Sequence, residues 1–126
     1  MRVLVTGGSG MVGSAFRDVS TPHEIILVGS SDYDLRNSDC AHKMIADCKP
    51  DSIIHLAARV GGVKGNTDFV ADFFYDNTMI NTNVLNASHA AGVQKVVSLL
   101  STCVYPDEIE YPLTEEQINE IVKADI

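Results

Sequence analysis

Two groups of residues in this chain could do chemistry. The first is a bend almost free of side chains, Thr6-Gly7-Gly8-Ser9-Gly10-Met11-Val12-Gly13, which follows the apolar run Val3-Leu4-Val5. Glycine recurs at every third position, Gly7, Gly10 and Gly13. A strand turning sharply into a helix needs Gly7 for the turn. Gly10 lets the backbone come up to a diphosphate, and Gly13 lets the new helix lie close on the strand. The first N–H groups of a helix have no partner inside it, and a phosphate anion satisfies them. The spacing is not the Gly-x-Gly-x-x-Gly of many dehydrogenases, but its place between a strand and a helix is that of a dinucleotide-binding turn. The second group is Ser101-Thr102-Cys103, which follows the apolar run Val96-Val97-Ser98-Leu99-Leu100. A serine hydroxyl there can hydrogen-bond a substrate carbonyl, and a cysteine thiol can move a proton beside that carbonyl. Cys103 fits a packed structural thiol equally well.

These residues need a scaffold to meet. A chain of 126 residues suffices for one domain with one core. The net charge of −8 excludes nucleic acid and anionic membranes as partners, since both call for clustered Lys and Arg, and the nine basic residues here form no run. Three cysteines without a Cys-x-x-Cys indicate a reducing compartment and no disulfide frame. No apolar run reaches membrane-spanning length. The N-terminus enters a strand directly, without the layout of a signal peptide. The expectation is a cytoplasmic protein with no metal site.

Strand, helix and turn signals alternate along the chain, the pattern of a parallel sheet covered by helices. Strands are expected at residues 2–6, 24–28, 52–56 and 95–100. Helix one spans 11–19 and stops at Thr21-Pro22. Helix two is capped by Ser38 and closed by Pro50. A loop of small residues, 57–63, precedes a long helix three over 68–91, which ends at Gly92. Tyr105-Pro106 and Tyr111-Pro112 mark a loop, and Thr114 with Gln117 reads as a capping box opening a short acidic helix. The fold expected is a Rossmann-like doubly wound parallel sheet with strand order 3-2-1-4. Helices one and two share one face and helix three covers the other. The cofactor crevice is then expected at the carboxyl ends of strands one and four.

The tip of strand two, Gly29-Ser30-Ser31, is neutral and rich in donors. An acidic tip would bind the ribose hydroxyl of NAD, so this one favours NADP, with Arg36 further along the loop. Asp34-Leu35 could frame the adenine. His55 at the end of strand three reads as a packed residue with one nitrogen satisfied. Ala57 and Ala58 make a smooth wall for a flat cofactor, or simply allow tight packing. Cys40 and Cys48 on helix two read as packing or surface residues.

Thr6 to Gly13, His55-Leu56-Ala57-Ala58 and the serine after strand four resemble the extended short-chain dehydrogenase/reductase family. Val60-Gly61-Gly62, Asn66, Asp72-Phe73 and above all Ser101-Thr102-Cys103-Val104-Tyr105-Pro106 are similar to its branch of GDP-sugar epimerase/reductases, over residues 1 to about 118. The resemblance implies an NADPH-dependent 3,5-epimerase and 4-reductase of a 4-keto-6-deoxy sugar carried on GDP, homodimeric in the family. It implies that Gly7, Gly10, Met11, Val12 and Gly13 hold the pyrophosphate and that Asp34 and Leu35 lie near the adenine. Leu56, Ala57 and Ala58 would line the nicotinamide side, and Leu99 joins Ser30 among the cofactor contacts. Ser101 would polarise the 4-keto group and Cys103 would exchange protons opposite a histidine. The family also needs a Tyr-x-x-x-Lys, yet Asn37, Met79, Ile109 and Glu115 stand four residues after Tyr33, Tyr75, Tyr105 and Tyr111. The chain is therefore expected to be the N-terminal, cofactor-binding part, inactive by itself, without the C-terminal substrate region. An uncovered apolar strand four and a second apolar face on helix three then favour self-association. Other readings are a related epimerase/reductase on a different nucleotide sugar and a non-catalytic dinucleotide-binding module.

Overall fold

The computed structural model describes residues 1–100, Tyr105 and 111–116. Four short apolar runs form the strands: β1 is Arg2–Thr6, β2 Glu24–Val28, β3 Ser52–His55 and β4 Lys95–Ser98. All pair in parallel. Between them lie α1 (Met11–Ala15, running on into a 3-10 turn at Phe16–Asp18), α2 (Ser38–Cys48), α3 (Gly62–Asp68) and α4 (Val70–Ala90). The architecture is the expected Rossmann-like α/β sheet.

Its strand order is β2-β1-β3-β4, not 3-2-1-4. β3, rather than β4, lies beside β1, with Thr6 opposite His55. The chain leaving β2 passes through a turn at Gly29–Tyr33 straight to α2, so the next strand crosses back over β1. Right-handed crossovers fix which face a helix covers but not how many strands it skips. The steps β1→β2 and β2→β3 run in opposite directions, which puts α1 on one face and α2 on the other. α2 accordingly shares its face with α4, where Ala41, Met44 and Ile45 join Val84 and Ala87 over Leu4 and Ile53. The pairing of helices one and two on one face is thereby overturned. The reversal of direction falls between β1 and β3, and the crevice opens there instead of between β1 and β4.

Three local features refine the expected elements. Asn37, not Ser38, caps α2, its Oδ1 accepting the N–H groups of Asp39 (2.8 Å) and Cys40 (3.3 Å). α2 ends at Lys49, whose φ of +46° turns the chain ahead of Pro50. The long third helix is two helices, because Phe69 (φ −130°) kinks the chain while hydrogen bonds from Phe69 N–H to Gly65 O and from Phe73 N–H to Phe69 O bridge the bend. The ring of Phe73 fills the space a Cβ at Gly61 would take, 2.6 Å away, so the glycines let α3 fold against α4. Val63, Phe69, Val70, Phe74 and Tyr75 stay exposed there, and among the described residues β2 and β4 are the sheet edges. Among the described residues no helix is long and apolar enough to cross a membrane.

Candidate functional site

The candidate site begins where the chain leaves β1 at Thr6. Gly7 has φ +71°, a region side chains resist. A Cβ on it would stand 2.9 Å from the Ala57 nitrogen and 2.9 Å from the Leu56 carbonyl carbon, so the turn lies directly against the end of β3. Gly10 N–H donates to Gly7 O (2.9 Å) and Ser14 N–H to Gly10 O (2.9 Å), closing the turn and starting α1. The N–H groups of Met11, Val12 and Gly13 precede that first helical bond. A Cβ at Gly13 would stand 2.2 Å from Gly7 O. α1 itself has five residues, fewer than expected, so attraction for an anion rests on these N–H groups more than on a helix dipole.

A crevice of about 590 Å³ opens around this turn. Its walls are the turn itself, the tip of β2 with the loop to Arg36, the chain from Leu56 to Val60, Asp76 and Ile80 of α4, and Leu99. All the residues expected at the cofactor line it: Gly7, Gly10, Met11, Val12, Gly13, Ser30, Asp34, Leu35, Leu56, Ala57, Ala58 and Leu99. Ser101 and Cys103 lie outside the described residues. The cradle suits a diphosphate, because the places where side chains would stand are already taken by backbone. At the β2 tip, Asp32 folds back to accept the Gly29 N–H (2.7 Å). Ser30 is exposed, while Arg36 grips Asp34 through Nε (2.9 Å) and Nη2 (2.8 Å). That grip holds the Asp34 carboxyl below its ordinary range.

Leu56 and Ala57, which line the crevice, are held by a chain of hydrogen bonds. Thr6 Oγ1 accepts the N–H groups of Leu56 (3.2 Å) and Ala57 (3.3 Å). Its own proton is left for His55 Nδ1, 2.7 Å away. The ring proton therefore sits on Nε2, which donates to Asn81 Oδ1 at 3.0 Å. His55 is the packed residue expected, with both nitrogens engaged instead of one. Burial pushes its pKa below the ordinary 6.5, against a smaller upward pull from Asn81. The unfolded chain then takes up a proton that the folded one resists, so this contribution to stability is complete above pH 6.5 and falls as pH drops below it. The expected result is a melting temperature that declines from pH 7 toward pH 5, with the slope reduced in His55→Asn.

Sequence reasoning followed the apolar stripe of α4 and missed its polar one. Asn83, buried, donates through Nδ2 to the carbonyls of Leu35 (3.0 Å) and Arg36 (3.0 Å), fastening the loop after β2. Asn77 accepts the Arg59 N–H (2.7 Å) and donates to Arg59 O (3.0 Å), fastening the segment after β3. Asp76 bonds Arg59 Nη1 at 2.7 Å. The available signal was the density of Asp and Asn inside one helix, where both are poor helix formers and need a reason to be there.

The model of the NAD dependent epimerase/dehydratase family matches residues 3–123. Over 123 residues the chain is 43% identical to a probable GDP-L-fucose synthase of Drosophila melanogaster, covering 94% of this chain and 38% of that protein. Over 122 residues it is 40% identical to a GDP-L-fucose synthase of Dictyostelium discoideum, covering 93% of this chain and 38% of that one. A crystal structure of a GDP-L-fucose synthetase from Naegleria fowleri bound to NADP superposes with a TM-score of 0.79 at 40% identity, covering 94% of this chain and 36% of that chain. The chain thus spans just over a third of the length of these relatives.

Proposed function

The chain belongs to the NAD dependent epimerase/dehydratase family, and from that premise we propose that it is the NADP-holding part of a GDP-L-fucose synthase. The observation that supports this most is the gathering of the glycine turn, the β2 tip and the Leu56–Ala58 segment around one crevice, in a chain similar to GDP-L-fucose synthases over almost its whole length. Residues 1–126 form one dinucleotide-binding domain in this reading. Met11, Val12 and Gly13 offer N–H groups to the diphosphate, Asp34 and Leu35 border the adenine, and Leu56, Ala57 and Ala58 face the nicotinamide. Ser30 supplies a hydroxyl at the ribose. NADPH, when bound, supplies the hydride that reduces C4 of the sugar. Ser101 donates a hydrogen bond to the 4-keto oxygen, which acidifies the neighbouring C–H bonds. Cys103 Sγ exchanges the proton at those carbons during epimerisation. The substrate is a 4-keto-6-deoxymannose carried on GDP, the assembly of the whole enzyme is a homodimer, and its compartment is the cytoplasm.

With no Tyr-x-x-x-Lys in these 126 residues, binding and turnover should separate. Adding the chain to NADPH should shift the cofactor's fluorescence, while GDP-4-keto-6-deoxy-D-mannose should elicit no NADPH oxidation. Steady oxidation would overturn the inactivity of the chain alone. Failure of both NADPH and NADH to bind at millimolar concentration would overturn the cofactor reading.

A further inference from the structure

Resting on that cofactor reading, we propose that Asp76 is a positioning residue that ties together the side chains of the crevice's two walls. Its Oδ2 lies 2.7 Å from Arg59 Nη1 and 3.5 Å from Arg36 Nη1. Arg36 ends the loop that follows β2, and Arg59 belongs to the segment that follows β3. β2 and β3 flank β1 on opposite sides, so the two arginines come from opposite sides of the glycine turn. Asp76 stands on α4 and is 7% exposed, whereas the side chains of Arg36 and Arg59 are 52% and 42% exposed. A carboxylate so enclosed is tolerated only with its counter-charges in place.

The backbones of the two walls have their own fastenings, through Asn83 on one side and Asn77 on the other. Arg36 is also held by Asp34, and the guanidinium of Arg59 stacks on the Phe73 ring at 4.6 Å. Among the described residues Asp76 is the group that pairs ionically with a side chain of each wall. A ligand that spans both walls depends on this tie, and a ligand that occupies one wall does not. Charge alone argues the opposite way: removing a carboxylate would release two guanidiniums toward an anionic ligand and tighten its binding. The sign of the change therefore distinguishes positioning from electrostatics.

The test is titration of the chain and its Asp76→Asn variant with NADPH, which spans both walls, and with 2′,5′-ADP, which occupies the β2 side. Positioning predicts NADPH affinity at least about fivefold weaker and 2′,5′-ADP affinity within about twofold of the unsubstituted chain. Asp76→Glu should recover part of the loss. Arg59→Met, which removes one arm and leaves Asp76 paired with Arg36, should weaken NADPH comparably, and combining it with Asp76→Asn should add little. If Asp76→Asn fails to fold, Asp76→Glu serves as the test, because it keeps the charge and positioning alone predicts weaker NADPH binding with 2′,5′-ADP binding unchanged. Unchanged or tighter NADPH binding would overturn the proposal and leave the cofactor reading standing, and so would equal losses for both ligands. If the unsubstituted chain binds neither ligand, the cofactor reading falls and this proposal falls with it.

Discussion

Gly13→Ala is expected to destabilise the chain by about 3 kcal/mol and to abolish NADPH binding at concentrations that saturate the unsubstituted protein. In an open helix the same substitution gains up to about 1 kcal/mol, because alanine is the better helix former. Here the sign reverses. The new Cβ would stand 2.2 Å from Gly7 O, 2.7 Å from Gly8 Cα and 2.9 Å from the Gly7 carbonyl carbon. All three are backbone atoms of the turn, and they cannot rotate away. Relief requires α1 to lift off the turn, which also moves the N–H groups of Met11 and Val12. Gly10→Ala is the internal contrast. Its Cβ would meet one atom, Gly7 O at 3.1 Å, at an exposed position, and a shift of a few tenths of an ångström absorbs it. Thermal melting of the two variants and NADPH titration of Gly13→Ala measure both parts. Equal stability of Gly13→Ala and the unsubstituted chain would contradict the close seating of helix on strand.

Thr6→Val is the second large effect. Valine matches threonine in shape, so packing at this fully buried site is preserved and hydrogen bonding alone is removed. The Ala57 N–H and His55 Nδ1 both lose their partner, while the Leu56 N–H keeps its bond to Thr6 O at 3.2 Å. Two polar groups left unsatisfied in or beside the core cost about 3 kcal/mol together. The consequence reaches beyond stability. Thr6 Oγ1 sets the tautomer of His55 and, through Ala57, the position of the crevice wall from Leu56 to Ala58. Denaturant unfolding should show the midpoint falling with an unchanged slope. An isosteric variant as stable as the parent would contradict the hydrogen-bond chain from Ala57 to Asn81.

Much of the site could be read from residue types because each demanded something of the backbone. Gly7 and Gly13 are glycine for reasons visible in one turn of chain, and β2 begins and ends at the residues its apolar run and Gly29 mark. That strand ends and the glycine turn meet at the carboxyl edge of a parallel sheet follows from the same logic, whereas Met11, Val12 and Leu56 were expected there from the family resemblance. The order of the strands was not readable. Whether β3 or β4 lies beside β1 depends on which face of α2 and α4 packs with which, a choice made by Met44, Ile45, Val84 and Ala87 meeting over Leu4. Nothing local to a strand states it. The kink at Phe69 was hidden for a related reason, because the apolar spacing runs through it unbroken and only the seating of Phe73 on Gly61 shows why the chain bends. The polar clasps Asp76, Asn77 and Asn83 were concealed by attention to the apolar stripe beside them.

In the proposed function the bend from Gly7 to Gly13, packed on the end of β3, holds the diphosphate of a nicotinamide dinucleotide. The most direct measurement is the amide spectrum of nitrogen-15-labelled chain recorded with and without NADPH. Resonances of Gly7 to Gly13, Ser30 and Leu56 to Ala58 should move together on one binding curve. Stationary resonances there, with movement confined to the separate hollow beside His42, Lys49 and Ala90, would contradict it.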